Sequence, residues 1–70
     1  MRPEAIIALF GRLGEDMVGA RVSAACRAFS PERKDPVAFL LNILSADDMW
    51  LHPDIRDGLL SELHDMGVKL

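Results

Sequence analysis

Apolar residues recur at helical spacing along most of the chain. One series in the N-terminal part contains Ile6, Phe10, Leu13, Met17, Ala20 and Ala24. A second series contains Ile7, Gly11, Gly14, Val18, Val22, Ala25 and Phe29. Because residues three and four apart share one face of a helix, both series predict α-helix. Together they cover more than half of the helix circumference, so we expect this part of the chain to be contacted on two sides.

Glycines decide whether this part is one helix or two. Pro3 fits the first turn of a helix, where its missing N–H costs nothing. Gly14 is followed by Glu15 and Asp16, which is typical of a helix C-cap and the acidic first turn of a new helix. We therefore expect helices near 3–13 and 15–29, with one continuous helix as the alternative.

Prolines divide the second half of the chain into two further helices. The segment 30–36 holds two prolines and reads as a loop, from which Asp35 caps a helix near 36–45 that begins at Pro36. Pro53 opens a last helix near 53–66, and Gly67 is a typical stop signal. No alternating pattern or hairpin turn indicates a strand. The chain is therefore predicted to be all-α, a compact three- or four-helix bundle forming a single helical domain, 1–70.

The size of the chain makes partners relevant. A chain of 70 residues buries only about 60% of its unfolded surface. Its one cysteine excludes a disulfide within the chain, and 50% of its residues are hydrophobic. The apolar segments exceed what we expect a monomer of this size to hide, so we predict a homodimer, another homo-oligomer or an obligate partner.

Charge is unevenly distributed along the chain. The net charge is −3, but residues 1–34 carry +2 and residues 35–70 carry −5. On the last helix, Asp54, Asp57 and Asp65 lie opposite the apolar stripe, and we predict that they dock onto a basic surface, with Trp50 as an aromatic contact. The sequence thus favours a small non-enzymatic protein–protein interaction module, a regulator, adaptor or inhibitor acting through its helix faces.

A nucleic-acid-binding regulator is the alternative function. The basic N-terminal half would supply the contacts, from Arg21, Arg27, Arg33 and Lys34. At about 100° per residue, however, the arginines of the first helices spread around the helical wheel. The acidic last helix would also repel phosphate. We therefore do not expect nucleic acid as the partner.

Candidate chemistry is sparse. Cys26 lies among small residues and has no neighbouring base in sequence, so we interpret it as a structural side chain. His52 and His64 do not have the spacing of a zinc site. We predict no catalytic residue, no metal, no cofactor and no enzymatic activity.

The apolar segments are too short for a membrane. The N-terminal run 5–10 has six residues, and the run 37–41 is far below the ~20 residues that span a bilayer. A single cysteine is typical of a reducing compartment, so we expect a cytoplasmic protein without a membrane partner. Met1 at the start leads us to expect a complete small chain.

Overall fold

The computed structural model describes residues 1–69, and these residues form a helical bundle. The four helices are α1 (Pro3–Arg12), α2 (Glu15–Arg27), α3 (Pro36–Ser45) and α4 (Pro53–Asp65). No strand occurs within residues 1–69. The all-α prediction is confirmed, and no predicted helix boundary is wrong by more than two residues. The last position of the predicted domain 1–70 lies outside the described residues.

Two residues in extended conformation separate α1 from α2. Leu13 and Gly14 have ψ angles of 153° and 157°, which end α1 and start α2. The alternative of one continuous helix is therefore wrong. Gly14 is the N-cap of α2 with a φ of −67°, so it is not a left-handed C-cap of α1. The break lets α1 pack extensively against α2 while it also contacts α3.

A second interruption lies inside α2, at Gly19. Its φ of 78° and ψ of 158° are non-helical and kink the helix. A Cβ at this position would lie 3.1 Å from the Trp50 carbonyl oxygen. The freed Met17 carbonyl accepts a hydrogen bond of 2.7 Å from the His52 N–H. The segment that precedes α4 therefore packs against the kink, a contact that helix propensity alone does not indicate.

Local capping signals act as predicted in α3 and α4. The Asp35 carboxylate accepts a hydrogen bond of 3.1 Å from the Val37 N–H and so caps α3. At the end of α4, Gly67 has a φ of 82°, and the Val68 N–H donates to the Leu63 carbonyl at 3.0 Å. This pairing is a Schellman motif, which satisfies carbonyls that the helix leaves unpaired.

All four helices contribute to the core. Fully buried side chains include Val18, Val22, Leu40 and Leu63. Among residues 1–69, the exposed large hydrophobic side chains are Met1 and Trp50. The bundle alone thus covers most of its large apolar side chains, contrary to our expectation that the apolar segments exceed what a monomer of this size hides. Self-association stays a prediction. No helix in the described part of the chain has the length and apolar character to cross a membrane.

Candidate protein-binding surface

The outer side of α4 carries the predicted acidic residues. Asp54, Asp57 and Asp65 are all exposed, while Leu59 and Leu63 of the same helix are buried. At 100° per residue the three carboxylates fall within an arc of about 80°, and they extend over about 16 Å of helix. The structure therefore brings them together on one surface, called the acidic face below.

The charges of the acidic face are largely uncompensated. In the described part of the chain, Asp57 and Asp65 have no cationic group within 4.0 Å. Asp54 lies 3.9 Å from the Nδ1 of His52, but that nitrogen accepts a hydrogen bond of 3.1 Å from the Asp54 N–H. The Asp54 side chain is 87% exposed, so solvent screens its contact with the imidazole. The negative charge of the acidic face is therefore exposed to solvent.

An apolar groove borders the acidic face, between α1 and α4. It has a volume of about 200 Å³. The residues that line it are Met1, Ile6, Leu9, Phe10, Asp54, Ile55, Gly58, Leu59 and Glu62. We call it the acidic groove, because Asp54 and Glu62 add carboxylates to an otherwise apolar lining. Sequence reasoning missed it, since it depends on which helix packs beside α4.

Gly58 keeps the acidic groove open on the α4 side. A Cβ at this position would meet no other atom within 4 Å. Glycine in a helix interior costs about 1 kcal/mol relative to alanine, and no close contact here requires it. The amino terminus of Met1 donates a hydrogen bond of 2.9 Å to the Glu62 carboxylate, and both residues line the groove.

Trp50 lies apart from this groove. Its side chain is 50% exposed and stands edge-on to His52, with ring centroids 6.2 Å apart. It also packs over Gly19, where a Cβ would lie 3.6 Å from the Trp50 Cβ. Of the four predicted contact residues, the structure therefore places three on α4 and the fourth on a separate surface beside α2.

A second cleft lies at the turn between α2 and α3. It has a volume of about 330 Å³ and is lined by Ala25, Ala28, Phe29, Ser30, Arg33, Lys34 and Phe39. The rings of Phe29 and Phe39 pack with their centroids 4.7 Å apart and form an aromatic wall. We call it the basic cleft, because its charged residues are Arg33 and Lys34. The loop signal of 30–36 located this turn, but the sequence did not indicate a cavity.

The basic residues of the N-terminal half are engaged in different contacts. Arg21 forms an ion pair of 2.6 Å with Asp48, and Arg27 donates a hydrogen bond of 2.9 Å to the buried Ser23 hydroxyl. Arg33 and Lys34 lie at the basic cleft. These cations are therefore divided among three environments, whereas duplex binding uses a continuous basic patch.

Cys26 has the environment of a structural side chain. It is buried, and burial raises the pKa of its thiol from the ordinary 9.0 to about 11. The thiolate, which is the nucleophile, is therefore scarce near neutral pH. Among residues 1–69, no three His, Cys, Asp or Glu side chains come together as metal ligands would.

The four helices form a small all-α bundle with two clefts whose charged lining residues have opposite sign. In comparisons with known proteins, no family model, curated protein or solved structure matches this chain. The candidate functional features of this chain are therefore the acidic groove, the acidic face and the basic cleft.

Proposed function

We propose that this chain is a non-enzymatic protein–protein interaction module whose acidic groove and acidic face bind a basic, amphipathic segment of another protein. The observation that carries this proposal is an apolar groove lined by Asp54, one of three exposed aspartates on the same side of α4. Such a module acts as a regulator, adaptor or inhibitor, because occupying the basic segment controls what else that segment contacts.

The two parts of the surface supply different terms of the binding energy. Apolar side chains of the partner bury against Leu9 and Ile55 in the groove, at about 25 cal/mol per Å² of apolar area removed from water. Lysine or arginine residues of the partner meet Asp54, Asp57 and Asp65. These exposed charges contribute mainly to the association rate and to partner choice.

The dimensions favour a helical segment as the partner. A volume of about 200 Å³ is below the 300–1,000 Å³ that is typical of small-molecule pockets, but it suffices for a few anchoring side chains. The acidic face extends over about 16 Å, which corresponds to about three turns of a partner helix. Recognition of an amphipathic helix in a groove uses anchors at this spacing.

The test uses a synthetic peptide as the partner. The probe is an amphipathic helix of about 18 residues, built from leucine and lysine, and binding is measured by calorimetry against the full chain. We expect binding that a peptide with glutamate in place of lysine does not show. A third peptide, with the leucines and lysines in scrambled order, separates helix recognition from charge attraction. If the scrambled peptide bound as tightly as the amphipathic peptide, the binding would not depend on the groove and the proposal would be contradicted.

Two variants assign the binding to the proposed surface. The triple variant D54K/D57K/D65K should weaken binding by about 30-fold or more, because each reversal replaces an attraction to the basic partner by like-charge repulsion. Gly58→Leu should weaken it without a change in charge, because the new side chain extends into the open groove. The matched control, E4K/E15K/D16K, changes net charge equally at three exposed positions outside the groove. If the control weakens binding as much as D54K/D57K/D65K does, only net charge matters and the proposed site is wrong.

A further inference from the structure

Trp50 is an exposed aromatic side chain that the acidic groove does not use. Its indole is 50% exposed, although the bundle covers nearly all other large apolar side chains among residues 1–69. It follows two exposed carboxylates, Asp47 and Asp48, in the turn before α4. The segment 47–50 therefore presents an aromatic anchor with negative charge beside it, and tryptophan is enriched among interface hot spots.

The basic cleft has the complementary character. Phe29 and Phe39 form an aromatic wall, and aromatic pairs gain from edge-to-face and offset contacts. Arg33 and Lys34 are exposed at the same cleft. A ligand that matches these features has an aromatic ring beside carboxylates, which is the chemistry of the segment 47–50 itself.

The anchor and the cleft lie on the same side of α2. Arg21, Ala25 and Ala28 are spaced by four and three residues, so they share one face of the helix. The ion pair of 2.6 Å between Arg21 and Asp48 shows that the segment 47–50 lies at this face. Ala25 and Ala28 line the basic cleft, about 10 Å further along the helix axis. Within one chain, Trp50 is not among the residues that line the cleft.

We propose that two copies of this chain form a two-fold dimer in which the segment 47–50 of each copy docks into the basic cleft of the other. An anchor and a complementary cleft on one face satisfy the requirement of a two-fold interface, where each contact occurs twice. Ala24 and Ala28 are exposed, so small side chains let the two copies of α2 approach closely. This surface differs from the acidic face, so the inference goes beyond the proposed function.

The first experiment measures mass and fluorescence of the full chain over a concentration series. Trp50 is the only tryptophan, so its emission reports on its own environment. Between about 1 µM and 1 mM we expect the mass from light scattering to rise towards twice the monomer mass. The emission should shift to shorter wavelength in parallel. A chain that stays monomeric throughout, or an emission that does not change with the mass, would overturn the proposal.

Substitutions test the two sides of the contact. Trp50→Ala should raise the dimer Kd by about 30-fold or more, with unchanged far-UV circular dichroism. The variant R33E/K34E alters only exposed residues and should have the same effect, so the test does not depend on the Trp50 variant folding well. Dimerisation at the wild-type Kd in a folded R33E/K34E chain would overturn the proposal.

A charge exchange tests the reciprocal geometry. Asp47→Lys should weaken the dimer because the lysine faces Arg33 and Lys34 of the second copy, and it leaves the ion pair of Arg21 with Asp48 intact. A mixture of D47K with R33E/K34E should dimerise again, since a lysine then faces glutamates at one contact and native residues meet at the other. An equimolar mixture of these two variants that remained monomeric would exclude this arrangement.

The experiment also separates this proposal from the proposed function. The variant D54K/D57K/D65K should lose binding of the leucine–lysine peptide but retain the wild-type dimer Kd. Conversely, R33E/K34E should bind that peptide as the wild-type chain does. A single variant that abolished both activities while remaining folded would show that the two surfaces are not independent.

Discussion

Substituting alanine for each of two helical glycines should change the free energy of unfolding in opposite directions. Gly19 has φ 78° and ψ 158°, a backbone region that is essentially restricted to glycine. Forcing alanine into it costs of the order of 1–3 kcal/mol. The new Cβ would also lie 3.1 Å from the Trp50 carbonyl oxygen, a backbone atom that moves only with its segment. We therefore expect Gly19→Ala to lower the free energy of unfolding by about 2–3 kcal/mol.

Gly58 provides the matched control. It lies in the interior of α4, and a Cβ there would meet nothing within 4 Å. Alanine removes the helix cost of glycine, so Gly58→Ala should raise the free energy of unfolding by about 1 kcal/mol. For a domain of this size, that corresponds to an increase in Tm of about 4–8 °C.

Urea unfolding followed by far-UV circular dichroism measures both variants under identical conditions. Both substitutions reduce the conformational freedom of the unfolded chain alike, so the difference between them isolates the strain and contacts of the folded state. We expect a difference of about 3–4 kcal/mol, with m-values unchanged. If Gly19→Ala were as stable as Gly58→Ala, the kink in α2 would not need a glycine and the reasoning would be refuted.

Three further predictions concern the core, a cap and the buried thiol. Leu40→Ala empties a fully buried position of α3 and should cost about 2–5 kcal/mol in urea unfolding. Asp35→Ala removes the cap on the Val37 N–H and should cost about 1 kcal/mol, whereas Asp35→Asn should retain most of the stability in a thermal melt. Because burial raises the pKa of Cys26 from 9.0 to about 11, the unfolded chain loses this proton first as the pH rises. The stabilisation due to the protonated Cys26 thiol is therefore lost as the pH rises from 9.0 to about 11. Cys26→Ala should reduce the decline of the urea midpoint in this pH range. An identical decline in the wild-type chain and the variant would contradict this cause.

Local signals were sufficient for the second half of the fold. Pro36, Pro53 and Gly67 act through their own backbone geometry, and Asp35 acts on an N–H two residues away, so each signal is complete within a few residues. The same holds for the acidic face, because helical spacing alone places Asp54, Asp57 and Asp65 on one side of α4. These features were predictable because no distant residue takes part in them.

In the N-terminal half, local sequence signals were not sufficient to predict every interruption of the helices. The apolar series continues in phase through Gly14 and Gly19, so periodicity alone does not exclude a continuous helix. Gly14 separates α1 from α2 with an ordinary negative φ. Gly19, in contrast, adopts a positive φ at the point where the segment around Trp50 contacts α2. That choice depends on a contact between residues about thirty positions apart, which no local propensity contains.

The sequence by itself determined the helical class, most helix ends and the acidic face, because these follow from spacing and from the conformational limits of proline and glycine. Only the tertiary structure decided that the bundle covers its apolar side chains, that α1 lies beside α4 to form the acidic groove, and that Phe29 meets Phe39 at the basic cleft. The acidic groove joins helices that are distant in sequence, and the basic cleft depends on how two successive helices pack. Their shape depends on which helix faces pack together, and that packing is a property of the whole chain.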